Sequence, residues 1–231
     1  MRFRDRREAG RFLSEKLASY SRCPELLVLA LPRGGVPVAF EVAEALGAPL
    51  DVFLVRKLGL PEQPELAMGA IASGGVRVLN PDVVDALSIS KETIDAVTAK
   101  EQQELERREQ AYRAGRAAPF VRGRTIMLVD DGLATGSTMR AAVRALRQQD
   151  PARIVVAVPT AAAQTCRELE VEADEVVCAT TPEPFYAVGL WYEDFAPVSD
   201  AEVRELLTYG PRTKRSTDSE VRSGEDRNAT D

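Results

Sequence analysis

The segment that most constrains the fold is a short apolar run, Thr125-Ile126-Met127-Leu128-Val129. It ends on two adjacent acids, Asp130 and Asp131, and passes at once into Gly132-Leu133-Ala134-Thr135-Gly136-Ser137-Thr138. An unalternating run of this kind suits an inner strand of a parallel sheet whose two faces are both covered. Parallel neighbours need crossover connections, so strands and helices should alternate along the rest of the chain.

They do. Residues 26–31 and 50–55 read as buried strands around a helix over 36–46; after the acidic strand come a helix over 138–148, strands over 153–158 and 175–179, and a helix over 164–169 between them. This alternation predicts an α/β fold built on a doubly wound, mainly parallel sheet. Residues 3–20 read as a first helix and 201–207 as a last one. Two unlike pieces separate the second strand from the acidic one. Residues 56–75 form a connection rich in Gly and Pro, whose portions 66–72 and 76–79 suit a hairpin, and we take 56–80 as a mobile lid. Residues 90–116 read as a highly charged helix with a thin stripe of Ile94, Val97, Leu105 and Tyr112, expected to be a solvated strut or dimer arm. One domain over 1–209 and a polar, disordered tail over 210–231 complete the reading.

Ligands collect at the carboxyl ends of strands in open α/β sheets, and there two side-by-side carboxylates can accept hydrogen bonds from vicinal hydroxyls such as those of a ribose. Their charge also suits Mg²⁺ nearby, with Asp130 and Asp131 acting on the metal indirectly. Gly132 and Gly136 permit a turn that gathers backbone amides, Thr135, Ser137 and Thr138 add hydroxyls, and a helix begins there; that combination holds phosphate. The segment lacks the Lys of a Walker A loop and the chain has no G-x-G-x-x-G, which disfavours nucleoside triphosphates and dinucleotides. A sugar phosphate remains. The Arg33-Gly34-Gly35 turn after the strand at 26–31 offers amides and a guanidinium to a second anion.

The apolar strand, Asp130-Asp131 and Gly132 to Thr138 resemble the phosphoribosyl pyrophosphate (PRPP) signature of type I phosphoribosyltransferases. The resemblance implies the fold of that family, with a small hood from the terminal segments. It also implies transfer of phosphoribose from PRPP to a nitrogen nucleophile, with Mg²⁺ on the pyrophosphate, an oxocarbenium-like state and inversion at the anomeric carbon. Asp130 and Asp131 would contact the ribose hydroxyls, and Ala134, Thr135, Gly136, Ser137 and Thr138 the 5′-phosphate. Leu31-Pro32-Arg33-Gly34-Gly35 is similar to the family's pyrophosphate loop. Val55-Arg56-Lys57-Leu58-Gly59-Leu60-Pro61 is similar to the segment that opens the lid of adenine phosphoribosyltransferases, so Arg56 and Lys57 would offset the charge of the leaving pyrophosphate. Phe185 to Tyr192 loosely resembles the base-binding segment of hypoxanthine-guanine enzymes, with Phe185 or Trp191 against a planar base. Ala134, however, stands where the purine 6-oxo enzymes carry an acid. Leu133-Ala134-Thr135-Gly136 leans toward the adenine-type spelling and the helix over 90–116 fits neither subgroup, so the acceptor stays unassigned.

Composition narrows the alternatives. With 231 residues, 45% of them apolar, the chain can bury a sizeable core. Its 30 basic and 36 acidic residues argue against general attraction to nucleic acid. There is no histidine, which removes Ser-His-Asp and Cys-His catalysis. Cys23, Cys166 and Cys178 are widely spaced without Cys-x-x-Cys, so neither a disulfide framework nor a zinc site is indicated and all three read as small, buried or half-buried residues. No apolar run approaches a membrane span and no signal core is present, so cytoplasm is the expected compartment. The expected partners are PRPP, a small-molecule acceptor and a second copy of the chain. Two other classes stay open: a regulator that senses PRPP or a nucleotide without catalysis, and a hydrolase with Asp130 as nucleophile.

Overall fold

The computed structural model describes residues 1–63 and 66–211. Pro64 and Glu65 of the expected lid, and the expected tail from Arg212 onward, lie outside the described residues. In chain order the elements are α1 (Arg6–Lys16), β1 (Leu26–Ala30), α2 (Gly35–Leu46), β2 (Leu50–Val52), β3 (Val55–Gly59), β4 (Ala67–Ala72) and β5 (Val76–Leu79). Then follow α3 (Pro81–Ala86), α4 (Lys91–Arg113), β6 (Thr125–Val129), α5 (Ser137–Arg147), β7 (Arg153–Thr160), α6 (Ala163–Leu169), β8 (Glu175–Thr180) and α7 (Asp200–Tyr209).

The main sheet has the order β2-β1-β6-β7-β8, and all its pairs are parallel. Alternate residues of each strand feed opposite faces, as the pleat requires. Leu26, Val28, Met127, Val129, Val155 and Ala157 pack toward α1, α2 and α7. Leu27, Leu29, Ile126, Leu128, Ile154 and Val156 pack toward α5 and α6. The pairing of Ala30 with Val129 brings the turns after β1 and β6 out side by side. That register builds the site.

Several expected boundaries move. The apolar run over 50–55 is not one strand: β2 stops at Val52, and the chain enters a second, antiparallel sheet, β3-β4-β5. Asp51 explains part of the break, because its buried carboxylate accepts from Arg113 Nε at 3.0 Å while Arg113 Nη2 donates to the Val52 carbonyl at 3.1 Å. Half of the expected Gly- and Pro-rich connection is therefore strand, with Val55 opposite Ala72 and Leu58 opposite Gly69. The expected solvated strut is also a packing element: Ile94, Leu105 and Tyr112 of α4 are buried in the main core. The short α3 had no expectation over it. The first helix ends at Lys16, followed by a single tight turn over Ala18–Arg22.

The cysteine expectation is overturned. Cys166 and Cys178 form a disulfide, and Cys23 alone is free. Wide spacing hid the pairing because α6 lies back on β8, the strand it leads into, and that packing brings positions 12 residues apart together.

Candidate functional site

The acids stand where β6 ends, and the turn after β1 closes on them. A β-carbon at Gly34 would overlap the Asp131 carboxylate, and one at Gly35 would lie 2.7 Å from the Val129 carbonyl oxygen. Only glycine lets that backbone approach so closely. The Pro32–Arg33 peptide in this turn is cis. Asp130 Oδ1 accepts the backbone N–H of Asp131 at 2.8 Å.

The hood supplies a partner with no sequence expectation attached. Arg6 Nε lies 2.8 Å from Asp131 Oδ2, the two side chains being only 10% and 14% exposed. Arg6 Nη1 donates to the Ala196 carbonyl at 2.8 Å, and its guanidinium carbon sits 3.9 Å from the centre of the Phe195 ring. Tyr192 donates its hydroxyl to the Asp131 carbonyl at 2.6 Å. Phe3, bridged to Tyr192, ties the amino end of the chain to the same segment. The only sequence signal for Arg6 was an Arg-rich amino end, in which one arginine looks like the next.

Electrostatics follow from this packing. Burial pushes Asp130 well above the usual carboxylate range, and the charge of Asp131 pushes the same way. Asp131 is also raised by burial, while its bond to Arg6 pulls it back down. The Tyr192 hydroxyl is raised chiefly by burial and then by Asp131.

Beyond the acids, Gly136 takes φ 67° and starts α5 without a side-chain cap, leaving the first-turn amides uncapped. Ala134, Thr135, Ser137 and Thr138 are exposed around that start. The turn is held from behind: Leu133 N–H donates to the Thr160 carbonyl at 3.0 Å, and Thr165 Oγ1 donates to the Ala134 carbonyl at 2.6 Å. A β-carbon at Gly136 would lie 2.6 Å from Thr165 Cγ2. Thr165 is thus a second supporting residue outside the expected set.

The structure brings the aromatic segment onto the same turn. Phe185 and Trp191 stack with ring centres 6.1 Å apart, and a β-carbon at Gly132 would lie 2.6 Å from Val188 of that segment. Arg56 and Lys57 do not act as one patch. They point to opposite faces of β3: Arg56 is ion-paired with Glu101 of α4, and Lys57 is exposed. Arg33 Nη1 lies 3.7 Å from Asp200 Oδ1, both side chains being about half exposed.

A family profile described as the phosphoribosyl transferase domain matches residues 6–193, a span that begins at Arg6 and includes the acid pair and the turns around it. The chain belongs to the phosphoribosyl transferase family. Relatives from two Mycobacterium tuberculosis strains, CDC 1551 and H37Rv, carry the provisional name phosphoribosyl transferase. Each is 50% identical over 205 residues, 89% of this chain and 46% of theirs. The chain therefore spans about half the length of the curated relatives it matches. The crystal structure of TT1426 from Thermus thermophilus superposes with a TM-score of 0.80 at 44% identity, over 90% of this chain and 98% of that one.

Phosphoribosyl transferase chemistry implies Mg²⁺, and the donor set decides in what form it fits. Among the described residues no group of three or more acidic or cysteine side chains is placed to hold a metal. The acid pair is turned toward Arg6 and a backbone amide. These residues would suit a cation that arrives on a ligand's phosphates better than one held by the protein alone, with Asp130 and Asp131 as distant carboxylates. Among the described residues no helix is long and apolar enough to cross a membrane.

Proposed function

We propose that the protein transfers 5-phosphoribose from PRPP to a nitrogen nucleophile and releases pyrophosphate. One observation supports this most. The Arg33-Gly34-Gly35 turn, the acid pair and the uncapped start of α5 meet at the carboxyl ends of two adjacent strands, an anion cradle on either side of two hydroxyl-binding carboxylates.

In this reading Asp130 and Asp131 orient the ribose. The amides of 134–138, with the hydroxyls of Thr135, Ser137 and Thr138, hold the 5′-phosphate, and Arg33 with the Gly34 and Gly35 amides takes the pyrophosphate. Lys57 adds a cation as the bond to the anomeric carbon breaks. Arg56 joins it only by giving up Glu101. Mg²⁺ bound with PRPP would offset charge on the leaving group. The stacked Phe185 and Trp191 offer a face to a planar acceptor. The Arg6 bond holds Asp131 in one orientation, so the ribose meets a preformed carboxylate.

Calorimetric titration of PRPP with Mg²⁺ tests the reading, comparing wild type with the Asp130→Asn/Asp131→Asn double variant. Binding to wild type that the variant loses, followed by acceptor-dependent pyrophosphate release, is the expected result. No binding to wild type would sink it. Binding without turnover for any base would leave the sensing protein instead.

A further inference from the structure

A cleft of about 790 Å³ opens at the far end of the main sheet from the acids. Its walls come from Arg22 to Leu26 before and into β1, from Leu46 to Pro49 before β2, and from Phe120 and Arg122 to Arg124 before β6. It therefore lies at the amino ends of three adjacent strands, two of which, β1 and β6, carry the proposed PRPP site at their carboxyl ends. Along β6 the separation is about 20 Å, at roughly 3.3 Å per residue.

The chain as a whole carries a net charge of −6, yet three guanidiniums converge here. Arg22 is exposed and makes no ion pair among the described residues. Arg124 is mostly buried; its Nη2 donates to the Leu26 carbonyl at 3.2 Å, while its Nε has no hydrogen-bond partner. Glu25 Oε2 stands 3.6 Å from that Nε, beyond hydrogen-bond range. Arg122 pairs with Asp150 at 2.9 Å in the open, where exposed pairs exchange at little cost. The Arg124 charge is thus matched by one mostly exposed carboxylate at ion-pair range without a hydrogen bond, a contact with which an oxygen anion in the cleft can compete. Beside the arginines Phe120 leaves 70% of its surface in water. Guanidiniums next to an open aromatic face suit a phosphate joined to a planar ring, and the volume is that of a small-molecule site.

We propose that this cleft binds a phosphate-bearing planar molecule of the nucleoside monophosphate class, separately from the PRPP site. Arg22 and Arg124 take the phosphate and Phe120 takes the ring.

Cys23, the free cysteine among the described residues, lines the same cleft and reports on it directly. The experiment follows alkylation of Cys23 by iodoacetamide, read by peptide mass spectrometry, with and without millimolar adenosine monophosphate. The expected result is at least threefold slower alkylation in wild type and in the Asp130→Asn/Asp131→Asn variant. Protection should be lost in Arg22→Ala, where an exposed side chain is removed and the fold is left intact. Absence of protection in wild type overturns the proposal, as does protection that survives Arg22→Ala together with Arg124→Lys. Protection that disappears in the Asp130→Asn/Asp131→Asn variant would trace to the PRPP site and overturn it equally. Inorganic phosphate protecting as well as adenosine monophosphate would remove the role of Phe120 and with it the assigned ligand class.

Discussion

Arg6 and Asp131 set two opposing requirements within one ion pair. In the proposed reaction the carboxylate would have to be available to a ribose hydroxyl, yet burial beside Asp130 makes its charge costly without a cation. Arg6 supplies that cation and is itself fixed by the Ala196 carbonyl and the Phe195 ring. Replacing Arg6 by Ala should cost about 3 kcal/mol in urea unfolding, the scale for breaking a mostly buried pair, and should weaken PRPP binding at least tenfold by calorimetry. Unchanged affinity would mean that Asp131 needs no positioning. Asp130 carries the opposite sign. Its folded-state pKa lies above the unfolded value, so its stabilising contribution is complete below the unfolded pKa and is lost as pH rises through the folded one. At neutral pH the group is a net cost, as functional sites often are. Asp130→Asn keeps an oxygen for the Asp131 amide and should raise stability by about 1 kcal/mol, a shift of roughly 3 °C in Tm for a domain of this size. It should also flatten the decline between pH 4 and 7 and abolish PRPP binding. A lower Tm for the Asn variant would show that the charge is already compensated.

At the level of elements, β6, its acids and α5 were legible because each signal is local: an apolar run, two carboxylates, then glycine and hydroxyls before a helix. What escaped the sequence depends on distant partners. The end of β2 is set partly by Arg113, 62 positions from Asp51. The Cys166–Cys178 pairing needs the helix to lie on its strand, and Arg6 becomes part of the site only when the hood closes over β6. The same applies to α6, which read as an ordinary crossover and yet supports the turn before α5 through Thr165. Thr165→Val keeps the shape and removes the hydroxyl that bonds the Ala134 carbonyl. About 1 kcal/mol for the lost bond predicts a roughly fivefold weaker PRPP affinity, with pyrophosphate binding at Arg33 and Gly34 unaffected. Equal loss for both ligands would indicate general loosening and not a role confined to this turn.

Across the whole molecule, long-range side-chain ties join outlying elements to the fold. Tyr112, near the end of α4, donates to Asp200 Oδ1 at 2.7 Å at the start of α7, and Tyr20 donates to Glu175 Oε2 at 2.6 Å at the start of β8. Burial disfavours both phenolates, and the carboxylates they touch add to the effect, so each hydroxyl is pushed up to about 12. A folded pKa above the unfolded one means the contribution is fully present below about pH 10 and lost between pH 10 and 12. Each tie should be worth about 1 kcal/mol after solvent screening is allowed for. Thermal unfolding should therefore hold level up to pH 10 from this source and fall steeply above it. The Tyr20→Phe/Tyr112→Phe variant should start lower and lose less over that interval, because neither bond remains to be titrated. Parallel curves for the two proteins would place the alkaline sensitivity elsewhere, and hydrogen exchange would then show whether α4 leaves the second sheet before the main sheet opens.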